Sequence, residues 1–72
     1  MSTTWETPVY SSNVSTVGYD TDSGELIVRW NSGKTSAYAG VPEELALELS
    51  KAPSVGQMLN SQIKPIYAHR YV

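Results

Sequence analysis

The sequence has no cysteine in its 72 residues. The chain therefore has no disulfide, no thiolate nucleophile and no cysteine-based zinc site. A chain this short buries only one small core, and without a covalent or metal cross-link its further stability must come from tight packing or self-association. We therefore predict a domain without metal or cofactor that forms a homo-oligomer.

Basic residues are also few, with five Lys and Arg against seven Asp and Glu and a net charge of −2. Nucleic-acid-binding domains usually carry a basic stripe, although a local basic patch can act within an acidic chain. No apolar run approaches the roughly 20 residues of a membrane helix, and residues 1–8 lack the features of an export signal. We therefore expect a cytoplasmic protein with no membrane partner.

Catalytic groups are scarce, because His69 is the single histidine and no acidic residue lies close to it in sequence. Gly33-Lys34-Thr35 resembles the end of a phosphate-binding P-loop, but position 28 is valine where that motif requires glycine. Asp20-x-Asp22-x-Gly24 lacks the closing glutamate of a calcium loop. We interpret both segments as turns and predict that the protein is not an enzyme.

Strand-like alternation begins after residues 1–10, which show no sustained period. We predict that they form an N-terminal tail, or a loosely pairing edge, to a single domain over residues 11–72. Three β-type segments follow, separated by the turns at 20–24 and 31–33. In the second, Leu26, Val28 and Trp30 share one face. Short turns between strands favour an antiparallel meander.

Helical patterns occupy the next part of the chain. Pro42 suits the first helical position, and Ser54 to Gln57 has the form of a capping box that opens a second short helix. Alternation returns before the C-terminus. The predicted fold class is α+β: a three-stranded antiparallel meander, two short helices packed on one face, and a C-terminal strand. The predicted core comprises Leu26, Val28, Trp30, Leu45, Leu49, Leu59 and Ile63.

Several tyrosines fall on segments predicted to be neighbouring strands, with basic groups nearby. Tyrosine on a sheet can stack a base or fill a partner's groove, but half-buried tyrosine is also ordinary strand material. Both readings stay open. The candidate ligand-binding residues of this kind are Tyr38, Tyr67, His69, Arg70, Tyr71 and Lys34, with Lys64 as a further cation.

The sequence resembles the KTSC domain family, named for its occurrence at the C-terminus of some lysyl-tRNA synthetases and also found as small bacterial and phage proteins. The resemblance spans roughly residues 10–72 and is carried by motifs in a fixed order. They are Ser12-Asn13, Val17-Gly18-Tyr19-Asp20, Leu26-x-Val28-x-Trp30, Gly33, Tyr38, Val41-Pro42, Leu49, Ala52-x-Ser54-x-Gly56, Ile63 and Tyr67.

The resemblance implies a compact α+β domain without known catalysis, for which the synthetase fusion suggests RNA binding. The family's central Tyr-x-Tyr is reduced here to Ser36-Ala37-Tyr38. The matching polar positions, which are either ligand-binding or structural, are Ser12, Asn13, Tyr38, Ser54 and Tyr67.

Three functions stay open on sequence alone. The first is an RNA-binding module. The second is a small inhibitor, of the kind that phages encode, which binds a host protein or sequesters a nucleotide-like signal molecule. The third is a structural self-assembly module.

Overall fold

A computed structural model describes residues 4–72, which form one five-stranded antiparallel sheet and two helices. The strands pair in chain order, so every sheet neighbour is also a sequence neighbour among the strands. The elements are β1 (Trp5–Pro8), β2 (Val14–Asp20), β3 (Glu25–Trp30), β4 (Thr35–Ala39), α1 (Glu43–Ser50), α2 (Val55–Met58), continued by a π-helical segment (Leu59–Ile63), and β5 (His69–Tyr71).

The α+β class is confirmed, but the prediction of three strands before the helices is wrong, because β1 is a fourth. It pairs with β2 at the sheet edge, from Trp5 opposite Tyr19 to Pro8 opposite Thr16. An edge strand tolerates proline, since one side of its backbone needs no partner. The Trp5 ring stacks on Tyr19, and its Nε1 donates a 3.0 Å hydrogen bond to Glu43 of α1.

The helices cover one face of the sheet, and the predicted alternation of β3 is confirmed on that face. Leu26 and Val28 are completely buried. Trp30 and Leu45, both predicted as core, are only half-buried and pack against the margin of the buried core. Trp30 ends β3, and α1 turns Ala46 towards the sheet beside Leu49, which leaves Leu45 at the margin.

The other face of the sheet carries two ion pairs. Arg29 Nε lies 2.6 Å from a Glu6 carboxylate oxygen, and Arg70 Nη2 lies 3.3 Å from Glu25. Ile27 is buried on this face between its register partners, which are Gly18 and Ala37. Charged side chains thus occupy the face that the helices leave uncovered.

Both motifs interpreted as turns are turns. The Asp20 carboxylate accepts hydrogen bonds from the backbone N–H groups of Asp22 and Ser23 at 3.0 and 3.4 Å. At the β3–β4 turn, Gly33 has φ = 97°, and its N–H donates to the Trp30 carbonyl at 3.0 Å. Glycine adopts this left-handed backbone without steric cost.

The second helix departs from its prediction in two ways. Ser54 is its N-cap, but the side chain makes no capping hydrogen bond, so the predicted capping box is wrong. The helix then widens into the π-helical segment, where the Lys64 N–H donates to the Leu59 carbonyl at 2.9 Å. In residues 4–72, no helix is both long and apolar enough to cross a membrane.

Candidate functional site

A cleft of about 300 Å³ opens at one end of the sheet, where the start of β2, the β3–β4 turn, the end of β5 and the residue after the π-helical segment meet. We refer to it as the aromatic cleft, because two aromatic side chains line it. Its lining residues are Ser12, Asn13, Trp30, Asn31, Ser32, Lys34, Lys64 and Tyr71.

One wall of the aromatic cleft is fixed by hydrogen bonds to the segment before β2. The Ser11 hydroxyl accepts the N–H groups of Asn13 and Val14, each at 3.3 Å. Across the cleft floor, the Asn31 side-chain amide donates to the Ser12 carbonyl at 2.9 Å, and the Asn31 N–H donates to the Asn13 carbonyl at 2.8 Å. These bonds hold the wall against the β3–β4 turn.

A hydrogen bond from its indole N–H holds the Trp30 side chain in place. Its Nε1 donates a 2.9 Å hydrogen bond to the hydroxyl of Ser36, a buried residue of β4. The bond fixes the orientation of the indole ring while the side chain stays half-buried at the cleft. An aromatic ring that is already ordered loses little conformational entropy when a planar ligand stacks on it.

Two lysines place their charges beside the aromatic rings. Lys64 Nζ lies 5.7 Å from the centroid of the Trp30 ring, and Lys34 Nζ lies 5.6 Å from that of Tyr71. Both distances fall within the range of a cation–π interaction. Lys64 is the residue that directly follows the π-helical segment.

Acidic residues do not offset this charge locally. In the part of the chain that the structure describes, no Asp or Glu lines the aromatic cleft. Asp20 and Glu25 lie at the opposite ends of β2 and β3, about 20 Å away at 3.3 Å per strand residue. The side chains that line the aromatic cleft therefore carry a net positive charge, although the whole chain has a net charge of −2.

A second cavity, of about 440 Å³, adjoins the aromatic cleft, because Ser12 and Asn13 line both. We call it the polar cavity, since no charged residue lines it. Its other lining residues are Tyr10, Ser11, Pro53, Ser54, Val55, Gly56, Gln57 and Asn60.

Comparison with known proteins identifies the family. The profile of the KTSC domain matches residues 10–67. The chain belongs to the KTSC domain family. It is 31% identical to a KTSC domain protein from Yersinia pestis, whose crystal structure superposes with a TM-score of 0.85 over 94% of this chain and 96% of that one.

Two further relatives match most of this KTSC domain. A protein of Tsukamurella paurometabola is 38% identical over 58 residues, which is 81% of this chain and 87% of that protein. An uncharacterised protein of Stutzerimonas stutzeri is 36% identical over 61 residues, which is 85% of this chain and 84% of that protein. The resemblance stated from sequence motifs is thus confirmed across nearly the whole domain.

Four of the sequence-predicted ligand-binding residues, Ser12, Asn13, Lys34 and Tyr71, meet in the aromatic cleft together with Lys64, the further predicted cation. His69 lies next to them but outside the lining. Its ring contacts Tyr71 edge-on, with centroids 5.7 Å apart, and contacts Tyr38 at 5.2 Å. The structure thus brings the first motif of the KTSC pattern, Ser12-Asn13, beside Lys34 and Tyr71, which lie outside the motifs.

The other predicted residues lie elsewhere. Tyr38 is completely buried, so in this structure its ring offers no surface to a ligand. Burial, with a smaller effect of Tyr71, raises the pKa of Tyr38 above its ordinary value. Tyr67 packs half-buried against the core. Arg70 lies on the opposite face, in its pair with Glu25, because neighbouring residues of a strand alternate in direction.

Sequence analysis does not identify Trp30, Asn31 and Ser32 as site residues. The alternation of β3 suggested a core position for Trp30, yet the aromatic cleft lies at the end of that strand. One sequence signal could have identified Trp30, because this large aromatic residue directly precedes a turn. Turn residues place polar groups beside such a ring, and binding residues often lie on loops.

Proposed function

We propose that this KTSC domain is a non-enzymatic module that binds single-stranded RNA, holding one nucleotide in the aromatic cleft. The observation that carries the proposal is the pairing of two ammonium groups with two aromatic rings, Lys64 with Trp30 and Lys34 with Tyr71. Single-stranded nucleic acids are bound by this combination, in which rings stack bases and cations attract phosphates.

The location of the charge supports the proposal despite the acidic composition. Affinity for a phosphate depends on the local potential, and the described acidic residues lie outside the aromatic cleft. The size of the cleft suits one nucleotide, since ligand pockets begin near 300 Å³. Hydroxyl and amide groups of Ser12 and Asn13 are available for hydrogen bonds to sugar or base.

The lining of the aromatic cleft supports binding without turnover. A hydrolase needs a positioned base within about 3 Å of its proton, and among the described residues no His, Asp or Glu lines the cleft. Incubation with an oligoadenylate, followed by mass spectrometry, should recover the RNA intact. Cleaved product that disappears in a His69→Ala variant would contradict this part of the proposal.

The direct test is titration calorimetry at low salt with adenosine 5′-monophosphate (AMP) and a single-stranded oligoadenylate. Lys34→Gln and Lys64→Gln should each weaken binding by about tenfold, the value of a charged hydrogen bond. Lys51→Gln is the matched control, because Lys51 is exposed at the end of α1 and lines neither cavity. An equal loss of affinity in all three variants would show that binding is only nonspecific charge attraction.

The same titration separates RNA from a free nucleotide signal. The phosphate and base chemistry is shared, so AMP should bind weakly and the oligoadenylate more tightly. Equal affinity for both would favour sequestration of a free nucleotide. If neither AMP nor the oligoadenylate produces a heat of binding, the proposal is wrong. Binding of a host protein and self-assembly would then be the remaining functions.

A further inference from the structure

The polar cavity continues the aromatic cleft across Ser12 and Asn13, which line both. A ligand that extends out of one cavity past Ser12 and Asn13 would therefore meet the lining of the other. The hydrogen bonds of Ser11 and Asn31 hold this shared segment in place. The two cavities thus adjoin on either side of one ordered segment.

The chemistry of the polar cavity differs from that of the aromatic cleft. None of its lining residues is charged, so it offers no cation to a second phosphate. It presents instead the side-chain amides of Asn13, Gln57 and Asn60. Within residues 4–72, none of these amides has a hydrogen-bond partner in the structure. Amides that donate and accept at once match the edges of exposed bases.

Two features favour access of a ligand to the polar cavity, one in the second helix and one at Tyr10. Ser54 makes no capping hydrogen bond, so neither it nor Gln57 is engaged in the capping box that the sequence suggested. Tyr10, at the border of the cavity, is fully exposed and presents an aromatic ring. An exposed tyrosine beside unpaired amides provides both stacking and hydrogen bonding for a base.

We propose that the polar cavity is a second nucleoside subsite, so that the preferred ligand is at least two linked ribonucleotides. The phosphate and base of one nucleotide lie in the aromatic cleft, and the strand crosses Ser12 and Asn13. The next base reaches Gln57 and Asn60 and stacks on Tyr10. This inference rests on the proposed function and assigns the ligand as an oligoribonucleotide, not a mononucleotide.

The test compares AMP with 5′-phosphorylated diadenylate in titration calorimetry of the full chain. Diadenylate should bind at least tenfold more tightly, the effect expected of one additional stacked base. In Gln57→Ala and Tyr10→Ala variants, that advantage should shrink towards zero while AMP affinity stays constant. Gln62→Ala is the matched control, since Gln62 is exposed on the π-helical segment and lines neither cavity.

The outcomes distinguish the two proposals. Equal affinities for AMP and diadenylate would overturn the second subsite and leave the aromatic cleft as a site for one nucleotide. A diadenylate advantage that survives in Gln57→Ala and Tyr10→Ala would also overturn it, because the second base would then lie elsewhere. Absence of binding by both probes would remove the second subsite together with the proposed function.

Discussion

The hydroxyl of Tyr19 donates a 2.6 Å hydrogen bond to the carbonyl oxygen of Val41, which ties β2 to the segment before α1. Tyr38 is equally part of the buried core, but its hydroxyl has no hydrogen-bond partner among residues 4–72. Two buried tyrosines on the same face of the sheet thus differ in one interaction, and this gives a matched pair for mutation.

Tyr19→Phe should lower the free energy of unfolding by about 1 to 3 kcal/mol, because it leaves the buried Val41 carbonyl without its donor. Tyr38→Phe should leave the free energy unchanged or raise it by about 1 kcal/mol, since it removes a buried polar atom that has no partner. Urea denaturation of both variants measures the difference. A larger loss in Tyr38→Phe than in Tyr19→Phe would show that the Tyr38 hydroxyl does have a strong partner.

Alkaline pH should destabilise the fold through the same two residues. Burial, with smaller effects of Glu43 and Asp20, raises the pKa of Tyr19, and burial raises the pKa of Tyr38. The unfolded chain then loses these protons first, near pH 10, so the contribution of the two tyrosines to stability is constant below about pH 10 and falls above it. Thermal melts across this range should show a shallower fall for Tyr38→Phe. A melting temperature that increases as the pH is raised beyond 10 would contradict the raised pKa values of Tyr19 and Tyr38.

Substitution of Tyr71 should weaken RNA binding, whereas substitution of Tyr38 should lower the stability of the fold. Tyr71 is 66% exposed, so Tyr71→Ala should leave the melting temperature nearly unchanged and weaken oligoadenylate binding through about 1 to 3 kcal/mol of lost stacking. Tyr38→Ala should instead create a cavity and cost roughly 3 to 5 kcal/mol of stability. Calorimetric melting and affinity on both variants test this. Unchanged affinity in a folded Tyr71→Ala variant would remove Tyr71 from the site.

The salt dependence of RNA binding should reflect the two lysines of the aromatic cleft. Within a strand, the nucleotide in the aromatic cleft is flanked by two phosphates, and each lysine can neutralise one of them. Two such contacts predict a slope of about −1.4 for the logarithm of the association constant against that of salt concentration. Lys64→Gln should halve the slope, whereas Lys51→Gln should not change it. A wild-type slope several times steeper would mean that further cations contact the strand.

Much of the fold was predictable because local patterns and tertiary packing agree. The alternation of β3 buries Leu26 and Val28 as expected. The strand β1 was missed, since its four residues are half polar and are stabilised by distant partners: Trp5 reaches Glu43 across the domain. The π-helical segment has no simple sequence pattern. Self-association stays a prediction, which sedimentation of the purified chain can test.

The candidate site was predictable only in part, because it combines residues from four separate segments. Lys34 and Tyr71 were identified by residue type, and Ser12 and Asn13 by the family resemblance, yet sequence could not place them around one cleft. Arg70 was grouped with them by proximity along the chain, and strand alternation sends it to the opposite face. Trp30 resembled a core residue because it is the last residue of β3 and shares a face with the buried Leu26 and Val28.

The two indole N–H groups provide the most direct test of the nucleotide site. Trp30 Nε1 bonds to Ser36 beside the aromatic cleft, and Trp5 Nε1 bonds to Glu43 near the β1 edge of the sheet. Each gives a separate signal in a proton–nitrogen correlation spectrum. On titration with AMP, we predict that the Trp30 indole signal and the Asn13 and Lys34 amide signals shift together, while the Trp5 indole signal stays fixed. A shift of the Trp5 signal alone, or no shift at saturating AMP, would contradict the assignment of the aromatic cleft as a nucleotide site.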